Sequence, residues 1–141
     1  MKRGWLVVTV LAAAGIAAAG IATARARAHR AAIARDASTR APAGVRIRVQ
    51  VLNGTTTRGL ARRATMVLRD HGFDVVDIGT VAAGQDTTVV LDLSGHPDWA
   101  QRVARAVAPA RITVRPDTSR YLDIAVVLGS AWRPPAEPLD P

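Results

Sequence analysis

The feature that most constrains this chain is an uncharged stretch of twenty residues near its start, from Trp5 to Ala24. Its sequence, WLVVTVLAAAGIAAAGIATA, follows the basic residues Lys2 and Arg3. A helix of this length rises about 30 Å, enough to cross the hydrocarbon core of a bilayer, and a tryptophan at its start is typical of a membrane interface. The stretch therefore predicts a single transmembrane helix in contact with membrane lipid.

A cleavable signal peptide is the competing interpretation of the same stretch. A basic start, an apolar segment and the A-x-A ending Ala22-Thr23-Ala24 share that pattern. The apolar segment is long for the core of a signal peptide, which favours an anchor. Either interpretation takes the chain to a membrane, and cleavage would release a secreted domain.

The basic charge of the chain is concentrated around this stretch. The formal net charge is +8, with 19 Lys and Arg against 11 Asp and Glu, and residues 1–44 contain seven of those cations and one acid. The rest of the chain is close to neutral, so we do not expect it to bind nucleic acid. Residues 24–37 are rich in helix formers, and their arginines are placed to contact anionic lipid headgroups. These arginines are Arg25, Arg27, Arg30 and Arg35.

The composition divides the chain into four segments. Residues 1–37 are the predicted transmembrane helix with its basic helical extension, and residues 38–44 are a linker. Residues 45–129 have the alternating and helical apolar patterns of a compact α/β domain. Residues 130–141 contain four prolines and no periodicity, which predicts a disordered tail.

Within residues 45–129 the patterns predict the order βαββαββ. Residues 45–51 alternate between apolar and polar side chains, and a helix is predicted to begin near Gly59 and to end at His71-Gly72. In the third strand, residues 87–93, the apolar side chains Val89, Leu91 and Leu93 share one face. The predicted fold is a two-layer α/β sandwich with a mixed sheet of four to five strands. Its aromatic bulk is expected from Phe73, Trp99 and Tyr121.

Candidate catalytic residues are scarce in this sequence. There is no cysteine, and the three histidines have no partners at metal-ligand spacing. Asp92, Ser94 and His96 are two residues apart at a strand end, so they cannot converge as a nucleophile, a base and an orienting group from separate elements. We interpret them as turn residues. The sequence therefore predicts a protein that is not an enzyme and has no metal or cofactor.

The loop after the first strand is the one candidate binding site. A strand, a glycine-containing turn and a helix N-terminus form the usual framework of an anion-binding loop. Asn53-Gly54 suits left-handed turn conformations, and we expect a positive φ at Gly54. Threonines also cap helices for structural reasons, so a structural turn and an anion site both stay open. The candidate residues are Asn53, Gly54, Thr55, Thr56, Thr57, Arg58 and Gly59.

The same region resembles a known protein family. The sequence VQVLNGTTTRGLARRATMVLRDHGFDVVDIG, with DIAVVLG near the end, is similar to the LytR/CpsA/Psr-regulator C-terminal domain family. The pattern of that family is V-x-V-x-N-G, then G-L-A, L-x-x-x-G-F-x-V and a closing D-hydrophobic-x-V-V-hydrophobic-G. The matching residues are Val49, Val51, Asn53, Gly54, Gly59, Leu60, Ala61, Leu68, Gly72, Phe73, Val75, Asp123, Val126, Val127 and Gly129.

The resemblance implies a location and a class of function. Family members usually lie outside the cytoplasmic membrane behind one transmembrane helix, and many follow a catalytic domain that attaches phosphate-linked glycopolymers to peptidoglycan. This sequence shows no such catalytic domain, so that activity is not carried over. The resemblance implies an envelope module that binds a cell-wall glycopolymer, peptidoglycan or an envelope partner protein. The cations that follow the apolar stretch favour the alternative, a cytoplasmic-facing module whose basic segment binds anionic lipid or nucleic acid.

Overall fold

The N-terminal part of the described chain is a helix. The structure is a computed structural model that describes residue 21 and residues 23–117 and 121–136. Residues 23–39 form helix α1, on which Arg25, Arg27, Arg30 and Arg35 are exposed. No helix within the described ranges combines the length and the apolarity that a bilayer crossing needs. Apart from residues 21, 23 and 24, the predicted transmembrane helix Trp5–Ala24 lies outside the described residues.

The residues from Ser38 onward form a unit separate from the chain up to Ala37. In that unit the strands lie in the spatial order β2-β1-β5-β3-β4. Strand β1 is parallel to β2 and β5, while β3 is parallel to β4 and antiparallel to β5. The elements are β1 (Arg48–Asn53), α2 (Leu60–Asp70), β2 (Asp74–Thr80), β3 (Thr88–Asp92), α3 (Pro97–Ala106), β4 (Ala110–Val114) and β5 (Ile124–Leu128). The predicted element order and the mixed sheet are confirmed.

One hydrophobic core joins α2 and α3 to the sheet. In β1 every second residue is buried, as its alternating sequence predicts, and α2 buries the stripe that includes Leu60, Ala64 and Leu68. Helix α3 begins at Pro97. Proline has no backbone N–H, and it suits the start of a helix because an N–H at this position would have no partner within the helix. The fully buried side chains contributed by the strands and α3 include Val49, Val51, Val90, Val103, Ile124, Val126 and Leu128.

The face of β3 that carries Val89 and Leu91 is not the face that the core buries. Val89 and Leu91 are only half-buried, whereas Thr88, Val90 and Asp92 are buried and lie on the face toward the core. Because both faces of this strand carry apolar side chains, alternation alone cannot indicate which face the helices cover.

Two aromatic residues differ from the prediction. Tyr121, expected in the core, is 78% exposed, whereas Trp132, placed in the predicted disordered tail, is 1% exposed and belongs to the core. The backbone N–H groups of Ser130 and Ala131 also donate to the carbonyls of Gln85 and Asp86, at 2.8 and 2.9 Å. The domain therefore includes residues 130–132, because the burial of Trp132 and these two hydrogen bonds offset the conformational entropy lost when the segment is ordered.

Candidate functional site

The loop after β1 is organised by the side chain of Asn53. Asn53 is 8% exposed, and its Nδ2 donates to the carbonyl of Thr57 at 2.8 Å. Its Oδ1 accepts from the backbone N–H and from the hydroxyl of Thr55, at 3.0 and 2.8 Å. The N–H of Thr57 in turn donates to Thr55 Oγ1. The Asn53 side chain is thus engaged inside the loop and shapes a turn.

Gly54 does not have the positive φ that the sequence predicts. It is required instead by a close approach: a Cβ atom at Gly54 would lie 2.9 Å from the carbonyl oxygen of Leu128 and 3.1 Å from Cγ1 of Val127. The N–H of Gly54 donates to that carbonyl, and its own carbonyl accepts from Gly84 and Gln85. Gly54 therefore belongs to the scaffold that joins β1 to β5.

The other end of the loop leaves the N-terminus of α2 uncapped. Gly59 precedes the helix with a φ of +75°, no side chain in the described residues caps it, and the first turn contains no acidic residue. The backbone N–H groups of this turn carry the positive end of the helix dipole. Of the predicted site residues, Thr56, Thr57, Arg58 and Gly59 are exposed here.

Three arginines are adjacent in sequence to this uncapped end. Arg58, Arg62 and Arg63, called here the arginine cluster, are exposed and form no ion pair within the described parts of the chain. Cations at the positive end of a helix are unfavourable for the helix itself. Of these three, only Arg58 is among the site residues predicted from the sequence, and Arg62 and Arg63 were missed. They lie three and four residues after Gly59, at the first turn of the helix, and this spacing is the sequence signal that places them near the site.

A groove runs along the exposed side of α2. Its volume is about 480 Å³, and it lies between α2 and Pro134, Pro135 and Ala136. Arg63 belongs both to this groove and to the arginine cluster. The α2 residues that line it are Arg63, Met66, Val67, Asp70 and His71.

The three residues Asp92, Ser94 and His96 form a turn, as the sequence predicts. Asp92 is 1% exposed, and its Oδ1 accepts from the N–H groups of Ser94, Gly95 and His96 at 3.2, 2.9 and 3.2 Å. The ring of His96 lies 3.1 Å from Ser94 Oγ and stacks on Trp99 with the ring centroids 3.8 Å apart. Asp92 therefore holds the backbone of the turn. Across the described residues no group of His, Asp and Glu has the arrangement of a metal site.

An ion pair that the sequence analysis missed lies near this turn. Arg48 Nε and Nη2 donate to the two carboxylate oxygens of Asp123 at 3.1 and 3.2 Å, and the Arg48 N–H donates to Asp123 Oδ2 at 2.8 Å. Burial acts to raise the pKa of Asp123, but the hydrogen bonds from Arg48 outweigh it and lower that pKa. The hydrogen bond to Asp123 also raises the pKa of Arg48. Nothing local in a single sequence indicates a pairing between residues so far apart.

The part of the chain that contains this fold and these sites matches a known protein family. Residues 46–132 match the family model described as LytR cell envelope-related transcriptional attenuator. This match covers more than half of the chain, so the chain belongs to the LytR C-terminal domain family, and the resemblance predicted from the sequence is confirmed. The family description associates the domain with the cell envelope. No curated protein matches the chain.

Two solved structures are similar to this chain. One is the soluble domain of a conserved hypothetical secreted protein (Rv2700 ortholog) from Mycobacterium marinum, with 20% identity, a TM-score of 0.49 and coverage of 74% of each chain. The other is the C-terminal domain of RV0431, with 27% identity, a TM-score of 0.41 and coverage of 63% of this chain and 76% of that one.

Proposed function

We propose that this protein is a non-catalytic cell-envelope module that binds an anionic envelope polymer through the arginine cluster. The observation that carries the proposal is the position of Arg58, Arg62 and Arg63 beside the uncapped N-terminus of α2. An arginine guanidinium binds phosphate through paired N–H donors, and a helix N-terminus favours an anion. A phosphate-linked glycopolymer presents such anions along its length, which matches three neighbouring cations better than a single small ion does.

The location of the module is part of the proposal. If the N-terminus lies in the cytoplasm, an anchor at Trp5–Ala24 would place residues 45–132 on the outer side of the membrane, where such polymers lie. The family description, which refers to the cell envelope, supports this location. A non-catalytic role is supported by the turn geometry at Asp92, since that carboxylate bonds to the backbone of the turn and not to the His96 ring.

The binding experiment compares the full chain in a zwitterionic detergent with two variants. We expect the double variant Arg62→Gln/Arg63→Gln to bind poly(glycerol phosphate) at least about tenfold more weakly, since the loss of even one charge-assisted hydrogen bond costs about 1.5–3 kcal/mol. The matched control is Arg111→Gln, which removes an exposed arginine from β4. The difference between the two variants should shrink as salt is added, because exposed charges are screened. Equal affinities for the two variants at low salt would refute the arginine cluster as the site.

The competing proposal assigns the function to α1. Arg25, Arg27, Arg30 and Arg35 are exposed on that helix, and on the cytoplasmic side they would contact anionic lipid or nucleic acid. A reporter fused after Pro141 separates the two proposals. Activity of a reporter that works only outside the cytoplasm supports the envelope module, and activity of one that works only inside supports the α1 proposal.

A further inference from the structure

A second cleft lies at the opposite end of β1 from the arginine cluster. Its volume is about 370 Å³, within the range of small-molecule sites. Arg48 and Asp123 line one side, at the beginnings of β1 and β5, while Ser94 and Gly95 line the other side, just after β3. Asp117 also lines this cleft. The proposed anion-binding function does not use any of these residues.

The polar groups of this cleft are held in fixed positions. The two hydrogen bonds between Arg48 and Asp123 place the guanidinium and the carboxylate in one rigid pair, and the backbone N–H of Arg48 fixes the carboxylate from a third direction. A guanidinium has five N–H donors, of which Asp123 accepts from two. The other three have no protein partner within the described residues. The pair as a whole is neutral, and the other ionisable residue that lines the cleft, Asp117, is acidic, so the cleft favours a neutral polar ligand over a free anion.

A sugar residue has the chemistry that this arrangement suits. A guanidinium only donates hydrogen bonds and a carboxylate only accepts them. Neighbouring sugar hydroxyls can do both, so one can accept from the guanidinium while the next donates to the carboxylate. The Ser94 hydroxyl adds a third polar group at the far wall. The apolar residues Leu93, Pro116 and Leu122 also line the cleft and supply apolar surface next to the polar groups. We propose that this cleft binds one neutral saccharide unit.

The test uses neutral sugars, which the arginine cluster cannot attract by charge. The full chain, in a zwitterionic detergent without a sugar headgroup, is titrated with maltotriose and with an N-acetylglucosamine trimer while amide NMR signals are followed. We expect either sugar at millimolar concentration to shift the signals of Arg48, Ser94, Gly95 and Asp123. The absence of shifts at these residues with both sugars, or shifts confined to another surface, overturns the proposal.

Two variants separate recognition from folding. Arg48→Lys keeps a cation opposite Asp123 but loses the planar pair of donors, so sugar binding should weaken roughly tenfold, the scale of one hydrogen bond to a charged group. The matched control is Arg46→Lys, the same substitution at an arginine that is paired with Asp74 at 2.6 Å and lies outside the cleft. Equal sugar affinity in the two variants overturns the proposal.

A second variant, Ser94→Ala, tests the cleft if Arg48→Lys does not fold. It removes one hydroxyl and leaves the Ser94 N–H bonded to Asp92, so a several-fold loss of sugar affinity is expected at an unchanged melting temperature. Unchanged sugar affinity in this variant counts against the cleft. The double variant Arg62→Gln/Arg63→Gln should retain sugar binding, and Arg48→Lys should retain poly(glycerol phosphate) binding. Sugar binding and polymer binding are thus measured separately, so either proposal can fail while the other holds.

Discussion

The side chains of Arg48 and Asp123, 75 residues apart in the sequence, are joined by two hydrogen bonds of 3.1 and 3.2 Å. The pair connects the beginnings of β1 and β5, two strands that lie side by side in parallel. Because Asp123 is buried, its carboxylate depends on Arg48 to replace the water it has lost. The ion pair therefore contributes to stability as well as to the cleft.

This ion pair predicts a specific pH dependence. The pKa of Asp123 is lower in the folded protein than in the unfolded chain, so its stabilising contribution is complete above the unfolded-state pKa of about 3.9 and is lost as the pH falls through the folded-state pKa. The melting temperature of Asp123→Asn should therefore lie furthest below that of the wild type near neutral pH, and the gap should narrow below about pH 4. Circular dichroism melts from neutral to acidic pH measure this gap. A gap of constant size across that range contradicts the prediction.

Gly54 and Gly59 should respond differently to the same substitutions. Gly54→Ala places a Cβ against the Leu128 carbonyl, at a cost of about 1–3 kcal/mol for overpacking. Gly59→Ala has open space around its Cβ but must adopt a φ of +75°, at a cost of roughly 1–2 kcal/mol. Asparagine tolerates this backbone region, so Gly59→Asn should recover much of the loss while Gly54→Asn should not. Thermal melting of the four variants tests this, and recovery at both positions would contradict it.

The sequence predicts those parts of the fold that depend on local patterns. The alternation around Val49 and Val51, the proline at Pro97 and the glycine after His71 each mark an element from a few neighbouring residues, and those elements form. The inner face of β3, the cleft at Arg48 and Asp123 and the burial of Trp132 all depend on contacts between distant segments. A single sequence carries no local signal for such contacts. The loop between the first strand and the first helix of the domain forms where the sequence predicts it, but the reason for a glycine at Gly54 depends on the position of β5.

The burial of Trp132 indicates that the C-terminal boundary of the domain lies beyond β5. Trp132→Ala removes a fully buried aromatic side chain from the core, so the free energy of unfolding should fall by about 3–5 kcal/mol. The matched control is Tyr121→Ala, whose exposed side chain should change it by no more than about 0.5 kcal/mol. Urea denaturation of the two variants supplies both values. A small effect at Trp132 would mean that residues 130–132 do not belong to the folded domain.

The two ends of the loop after β1 should respond differently to substitution by alanine. Asn53→Ala removes one donor and one acceptor that hold the turn. It removes the hydrogen bonds to the N–H of Thr55 and to the carbonyl of Thr57, at a cost of about 0.5–1.5 kcal/mol for each bond. Arg58→Ala removes an exposed side chain without an ion-pair partner in the described chain, so the free energy of unfolding should change by less than about 0.5 kcal/mol.

Binding should show the opposite order for these two variants. If Arg58 belongs to the anion site, its loss weakens poly(glycerol phosphate) binding by about 1.5–3 kcal/mol, the scale of a hydrogen bond between charged groups. Titrations at low and moderate salt, with melting curves on the same samples, measure both quantities for each variant. An Arg58→Ala variant with unchanged affinity would leave the loop with a structural role only, because the side chains of Asn53 and Thr55 already form hydrogen bonds within the turn.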